Sequence, residues 1–399
     1  MQKSSINNLS KSQLTGKKIL MRVDFNVPIN DELKITDDTR IIAALPSIKY
    51  LVANNAKVIL MSHLGRPKGK VVEKLRLDPV ARRLGELLEQ KVKKINDCIG
   101  WEVEKEVSKM KNGDILLLEN LRFYAEEEGN DREFSKKLSH LGDIYINDAF
   151  GSAHRAHAST VGVAQILPAY AGFLMAKEIE MLSNLLEEPA RPFAVLLGGA
   201  KISGKIEIVQ NLLNIADIIL IAGGMSYTCL AALGYEVGNS LLEEYDLTVV
   251  KNLLEKAKKM GNKILLPIDL VVAREVAENS ESELVKIEDI PKYSIAVDLG
   301  EESLEMFEKE LQKAKTIFWN GPIGVFEIEK FSKGTNRIAR FIAKMNDKAT
   351  IVIGGGDSAA AVEKAGVAEK ITHISTGGGA SLEFLGGKKL PGIEILPDK

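Results

Sequence analysis

Two sets of residues in this sequence have the types and spacing to hold anions. The first is a series of arginines with polar neighbours: Asp24, Phe25 and Asn26; Arg40; His63, Leu64, Gly65 and Arg66; Asn120 and Arg122; and Asp148 followed by Arg155. A guanidinium presents its N–H groups as a planar fork that matches carboxylate and phosphate oxygens. Several together suit a small, multiply charged anion. A single arginine at a strand end is more often half of a surface ion pair, so the weight rests on the set. Arg76, Arg82, Arg83 and Arg132 fall within helical patterns and are read as solvated. His154 and His157 complete no metal spacing and are read as packed or capping groups, and His140 and His373 are given no functional role.

The second set is made of glycines: Gly198–Gly199, Gly223–Gly224, Gly354–Gly356 and Gly377–Gly379. Glycine lets backbone N–H groups approach a ligand closely, and a helix that follows adds its positive N-terminal end. Within GGAKISGKIE (198–207), Gly199 to Lys205 fit the first seven places of a phosphate-binding loop, but Ile206 stands where a magnesium-binding hydroxyl belongs. Lys201 and Lys205 are four apart at the start of the helical pattern IEIVQNLL. They are read as two ammonium groups on one side of a first helical turn, aimed at phosphate, with Gly204 incidental. Asp357 opens the helical stretch DSAAAVEKAG, where an aspartate serves either as an N-cap or as a magnesium ligand; the neighbouring phosphate loops favour magnesium.

These residues need a scaffold that lines them up. The apolar runs KKILMRVDFNV (17–27), AKVILMSHL (56–64), GDILLLENL (113–121) and DIYINDAF (143–150) alternate with amphipathic stretches such as RIIAALPSIKYLVAN. The runs RPFAVLLGG, DIILIAGG, KILLPIDLVVA, KTIFWNGP, ATIVIGGG and ITHISTGGG repeat the rhythm. Strands with few polar interruptions, each followed by a helix, predict parallel sheet buried on both faces. Two series predict an α/β protein of two doubly wound, Rossmann-like domains. Both candidate sets fall beyond the carboxyl ends of strands, where ligands bind in such sheets. The break is expected between 165 and 190, where a helix ends at Pro189 and Pro192, giving domains 1–170 and 188–388 joined by a hinge helix 171–187.

Composition narrows the partners. The chain has 399 residues, 45% hydrophobic and 27% charged, enough for sizeable cores. A formal charge of −2 argues against a general nucleic-acid or membrane-surface binder. Cys98 and Cys229 lie far apart, with no metal spacing, and are expected to be reduced, half-buried thiols. No apolar signal core opens the sequence and no stretch is long enough to span a membrane, so a cytoplasmic location is expected.

Taken together, the motifs resemble the phosphoglycerate kinase family over essentially the whole chain. The matching stretches, in the family's order, are RVDFNVP (22–28), DDTRI (37–41), MSHLGRP (61–67), LLENLRFY (117–124), NDAFGSAHRAH (147–157), LLGGAK (196–201), WNGPIGVFE (319–327), GGGDSAAAV (354–362) and STGGGASLEFL (375–385). The resemblance implies reversible phosphoryl transfer between 1,3-bisphosphoglycerate with MgADP and 3-phosphoglycerate with MgATP. It implies a glycerate site on the first domain, made by Asp24, Phe25, Asn26, Arg40, His63, Leu64, Gly65, Arg66, Arg122 and Arg155. It implies a nucleotide site on the second, made by Gly199, Lys201, Lys205, Gly223, Asn320, Glu327, Gly355, Gly356, Asp357 and Ser358, with Asp357 on magnesium. Arg40, Lys201, Gly378 and Gly379 would act on the migrating phosphoryl group. The resemblance also implies a monomer whose last residues (here 389–399) pack back on the first domain. The chain departs from the pattern at Ala222, Ala296 and Glu301, where the family commonly has glycine, glycine and proline. Two alternatives remain at this stage: an α/β kinase or synthetase with another carboxylate acceptor, and a catalytically silent nucleotide-binding protein.

Overall fold

The computed structural model describes residues 1–244, 247–261 and 263–399. The chain divides into two compact units: unit 1 holds Met1–Glu180 with Lys389–Lys399, and unit 2 holds Met181–Lys388. The boundary falls inside the helix Phe173–Glu187.

Unit 1 is built on a parallel six-stranded sheet of β1 (Lys18–Val23), β2 (Lys57–Met61), β3 (Val92–Lys94), β4 (Ile115–Leu117), β5 (Ile144–Asp148) and β6 (Ala169–Ala171), in the order β3-β4-β2-β1-β5-β6. The central strands KILMRV, KVILM and IYIND are buried along nearly their whole length, as covering helices on both faces require. The helix Thr39–Ala53 carries the chain from β1 to β2. Its buried residues Ile41, Ala44, Leu45 and Ile48 join Ile19, Met21, Val58 and Leu60 of the strands in one core. The order runs outward from β1 through β2 on one side and turns to β5 on the other. A crevice opens at such a switch point, and the loops after β1 and β5 flank it.

Residues 389–399 complete this unit. Asn147 Nδ2 donates to Gly392 O at 3.1 Å, Gly392 N–H donates to Ala153 O at 2.9 Å, and Lys3 bridges to Asp398.

Unit 2 repeats the plan with β7 (Phe193–Leu197), β8 (Ile218–Ile221), β9 (Lys263–Leu265), β10 (Asp269–Ala273), β11 (Ser282–Lys286), β12 (Ile295–Leu299), β13 (Thr316–Asn320), β14 (Thr350–Gly354) and β15 (His373–Ser375). Its parallel sheet runs β15-β14-β13-β7-β8-β9, with the switch point between β7 and β13. The remaining strands form an antiparallel sheet β11-β10-β12 that the sequence pattern did not indicate. KILLPIDLVVA, read as one run, is two strands in different sheets. Pro267, lying between them, has no N–H to continue a ladder. In β11, Ser282–Leu284 and Lys286 are exposed, so no buried face marked it.

Both cysteines are fully buried rather than half-buried, and burial pushes the Cys229 thiol up to about 12. Among the described residues no helix is long and apolar enough to cross a membrane.

Candidate active site

In unit 1 the loops beyond β1, β2 and β4 are tied to one another by side chains from the predicted set. Asn26 Oδ1 accepts from Gly65 N–H at 2.8 Å, and Arg122 Nη1 donates to Gly65 O at 2.9 Å. Asn120, fully buried, accepts from Leu64 N–H at 3.2 Å and donates to Leu64 O at 2.8 Å. Phe25 N–H donates to Ser62 Oγ at 2.9 Å. Phe25 and Leu64 are buried, and their backbone groups are bonded within these loops. Arg40, second residue of its helix, donates from Nη1 to Asp24 Oδ2 at 2.8 Å.

Burial and neighbouring charge shift several of these groups. His63 is lowered well below its ordinary pKa by burial and then by Arg22, Arg122 and Arg40. His157 is lowered to about 3 by burial, with Arg22, Arg122 and Arg155 adding to it. Arg122 is itself lowered by burial, against the carboxylate of Glu128, which lies 3.3 Å from its Nε. Arg22 and Arg122 thus act on both imidazoles, Arg40 on His63 and Arg155 on His157, and both rings are neutral at pH 7. Arg155 donates from Nε to His154 Nε2 at 3.0 Å. Arg66 is exposed on the loop after β2.

Asp148 does not join this rim. It is fully buried, its Oδ1 accepts from Met175 N–H at 3.0 Å at the start of the helix Phe173–Glu187, and burial raises it to about 6. Arg76, read as solvated, instead donates from Nη1 to the buried Glu119 at 2.9 Å, and Lys94 meets the same carboxylate at 2.7 Å. The sequence reading also missed Arg22, whose side chain is hidden on β1 with no exposed surface. The one signal was a cation inside an otherwise apolar strand.

In unit 2 the glycine-bearing loops after β7, β8, β13 and β14 meet one another around the switch point. Gly198 N–H donates to Asn320 O at 2.8 Å, and Gly199 N–H donates to Pro322 O at 2.9 Å. A side chain on Gly198 would meet Pro322 O at 2.1 Å, and one on Gly321 would meet Gly198 O at 2.3 Å, so these two backbones touch only because both positions lack a Cβ. Asn320 donates from Nδ2 to Gly354 O at 2.6 Å, and Ser358 Oγ accepts from Gly321 N–H at 2.6 Å. Asn320 and Ser358 are buried and brace loop to loop. Around Gly356, Gly378 and Gly379 the space a Cβ would take is open.

Lys205 donates from Nζ to Gly198 O at 2.8 Å; burial lowers it to about 8, with the nearby Asp357 opposing that shift. The two lysines do not share a helical turn, contrary to the spacing argument. Lys201 precedes the 3₁₀ turn Ser203–Lys205, and the α-helix begins only at Ile206. An unpredicted residue fixes that segment: Glu243 accepts from Ile202 N–H at 2.7 Å, Ser203 N–H at 3.0 Å and Ser203 Oγ at 2.6 Å.

Asp357 lies in the first turn of the helix Gly356–Lys364, exposed. Gly355 takes the N-cap position there and no side chain caps the helix. Glu327 is exposed in a turn after β13. Gly223 precedes the helix Gly224–Ala232. Ala222 is buried and donates to Leu197 O at 2.8 Å. Ala296 is buried on β12, and Glu301 pairs with Arg337. Among the described residues no group of three or more metal-ligating side chains occurs. A magnesium ion here would rest on one carboxylate and on ligand oxygens, an arrangement usual for magnesium on phosphates.

Comparison with known proteins identifies the family and the fold. The family model described as phosphoglycerate kinase matches residues 9–388. The chain is 56% identical to a phosphoglycerate kinase of Dictyoglomus turgidum, over 100% of both chains, and 53% identical to one of Prochlorococcus marinus, over 99% of both. The solved phosphoglycerate kinase of Coxiella burnetii superposes with a TM-score of 0.87 at 40% identity, and that of Pyrococcus horikoshii with 0.84 at 35%, each over 98% of both chains. With the whole length matched in sequence and in fold, the chain belongs to the phosphoglycerate kinase family, enzymes whose known role is glycolytic phosphoryl transfer.

Proposed function

We propose that this chain catalyses reversible phosphoryl transfer from 1,3-bisphosphoglycerate to ADP, with unit 1 holding the glycerate and unit 2 the nucleotide. The observation that most supports the glycerate assignment is that Arg22 lies 3.0 Å from His63 Nδ1, with Arg40, Arg122 and Arg155 adding positive charge near His63 or His157. Asp24 and Asn26 are assigned to the carboxylate and hydroxyl end. His63, Arg66, Arg122 and Arg155 are assigned to the phosphate end, and Arg40 to the migrating group.

In either direction the attacking atom is already anionic, a carboxylate or a diphosphate oxygen. No proton has to leave, and no general base is needed. The barrier comes from bringing anions together and from charge spread over the phosphoryl oxygens, so positioning and electrostatic stabilisation carry catalysis. Lys201 and the amides of Gly378 and Gly379 are assigned to that charge, with Lys205, Gly199, Gly223, Gly355, Gly356 and Ser358 on the nucleotide phosphates. Glu327 is assigned to the ribose, and Asn320 braces the loops. Magnesium would neutralise charge on the phosphates, and Asp357 would hold it. Because the two ligands belong to different units, the helix Phe173–Glu187 is assigned the role of hinge. A cytoplasmic monomer completes the reading.

The deciding experiment is a coupled assay with ATP, magnesium and 3-phosphoglycerate, run beside unphosphorylated hydroxy acids. Turnover with 3-phosphoglycerate alone is expected. Equal turnover with an unphosphorylated acid overturns the glycerate assignment.

A further inference from the structure

Arg22 connects the glycerate face to a buried carboxylate, and the donor–acceptor logic along the way leaves no freedom. Its Nη1 donates to Val23 O, its Nε donates to Ser159 Oγ at 2.8 Å, and its Nη2 lies 3.0 Å from His63 Nδ1. A guanidinium has only donors. His63 Nδ1 must therefore accept, and the ring proton of the neutral imidazole sits on Nε2. Ser159 accepts from Arg22 and so gives its own hydroxyl proton to Glu127 Oε1, 2.6 Å away, while its N–H donates to Glu127 Oε2 at 3.0 Å. Glu127, Ser159 and Arg22 have no exposed surface, and His63 has 4%. Burial raises Glu127, while the charge of Arg22 and the two donors of Ser159 favour its ionised form. Besides Arg22, the groups acting on His63 are Arg122, Arg40 and His157, which also oppose a charged ring.

We propose that Glu127 and Ser159 are positioning residues that act through Arg22 to hold His63 in its Nε2–H tautomer. His63 then meets the substrate anion as a neutral, preoriented donor rather than as a titrating cation. The inference rests on the assignment of this face to the glycerate. A donor fixed in advance requires no reorganisation when the anion arrives, which is the condition under which a hydrogen bond contributes most to binding.

Two-bond ¹H–¹⁵N correlation spectra of the full chain read the tautomer directly. Without ligand, His63 is expected to show a protonated Nε2 and a bare Nδ1 at pH 6, 7 and 8. A proton on Nδ1, or on both nitrogens, overturns the proposal without any variant. Glu127→Gln and, separately, Ser159→Ala are expected to populate both tautomers. Each should raise KM for 3-phosphoglycerate by roughly tenfold, with KM for ATP unchanged. Folded variants that keep the single tautomer, or that shift both KM values alike, show a merely structural role. Adding 3-phosphoglycerate to the unaltered chain separates the two readings. If His63 has the expected tautomer but its nitrogens do not respond to the ligand, the glycerate assignment fails rather than the tautomer argument.

Discussion

Arg40 Nη1 and Asp24 Oδ2 lie 2.8 Å apart, joining the first turn of the helix Thr39–Ala53 to the loop that follows β1. The Asp24 side chain is 9% exposed and that of Arg40 34%, so a mostly buried carboxylate orients a guanidinium that still reaches solvent. This suits a cation that must meet charge appearing only during transfer. Arg40→Ala is expected to lower kcat by roughly 10³ or more, by comparison with arginine fingers, while changing KM little. Steady-state kinetics check it, and a variant keeping most of its kcat shows that another group meets that charge.

Lys205 gives a pH dependence with a definite sign. Its pKa, lowered to about 8 by burial, means that it loses its charge as pH rises through 8. A neutral amine no longer attracts phosphate, so kcat/KM for ATP is expected to fall above pH 8. Lys205→Arg should keep the profile flat there. Stability moves the other way. The unfolded chain holds this proton up to about pH 10.4, so this group's contribution rises between about 8 and 10.4. A kcat/KM for ATP that stays level to pH 9 would show that Lys205 stays charged or does not bind phosphate.

Glu243 is expected to matter for the nucleotide although no motif contains it. Its carboxylate fixes Ile202 and Ser203, the residues directly after Lys201. Burial works against its ionised form, but the Ser203 hydroxyl and the two amides outweigh that and hold it below the usual carboxylate range. Glu243→Ala should lower kcat/KM for ATP by roughly tenfold and leave KM for 3-phosphoglycerate unchanged. Equal effects on both substrates would point to general destabilisation.

Asp148 should contribute more to the stability of unit 1 in mild acid than at neutral pH. Burial raises it to about 6, so the folded chain binds this proton more tightly than the unfolded chain, whose aspartate titrates near 3.9. The group's stabilising share is therefore full below about 3.9 and is lost as pH rises through 6. Thermal melts of Asp148→Asn beside the unaltered chain, at pH 5 and 7, isolate the effect. The Asn variant should have the smaller gain on going from 7 to 5, and equal gains would place the titration elsewhere.

If the helix Phe173–Glu187 is a hinge, small-angle scattering should show a smaller radius of gyration with both substrates bound than with either alone. An unchanged radius counts against that role.

Much of the fold was legible because buried parallel strands make long apolar runs with glycine or polar residues at their carboxyl ends. β1, β2, β5, β7, β13 and β14 all follow that rule. The antiparallel sheet escaped because β11 shows almost no buried face and Pro267 hides a break within one apolar run. At the site, residue type located the arginines and glycines, since few other residues form a fork or lack a side chain. Residue type could not say how each group is used. Asp148 caps a helix, the side chains of Ser358 and Asn320 also brace loops, and Lys201 lies before its helix rather than on it. Arg22, Glu127 and Glu243 were missed because their importance comes from partners distant in sequence. Glu127 and Ser159 are 32 residues apart, and Glu243 and Ser203 are 40 apart.

Leu390, Ile393 and Leu396 are buried although everything between Met181 and Lys388 belongs to the other unit. A ribosome therefore delivers the whole of unit 2 before it delivers the segment that closes over Asn147 and Ala153. During synthesis unit 1 lacks this buried segment until unit 2 has been made. Its maturation is thereby timed by the manufacture of its neighbour.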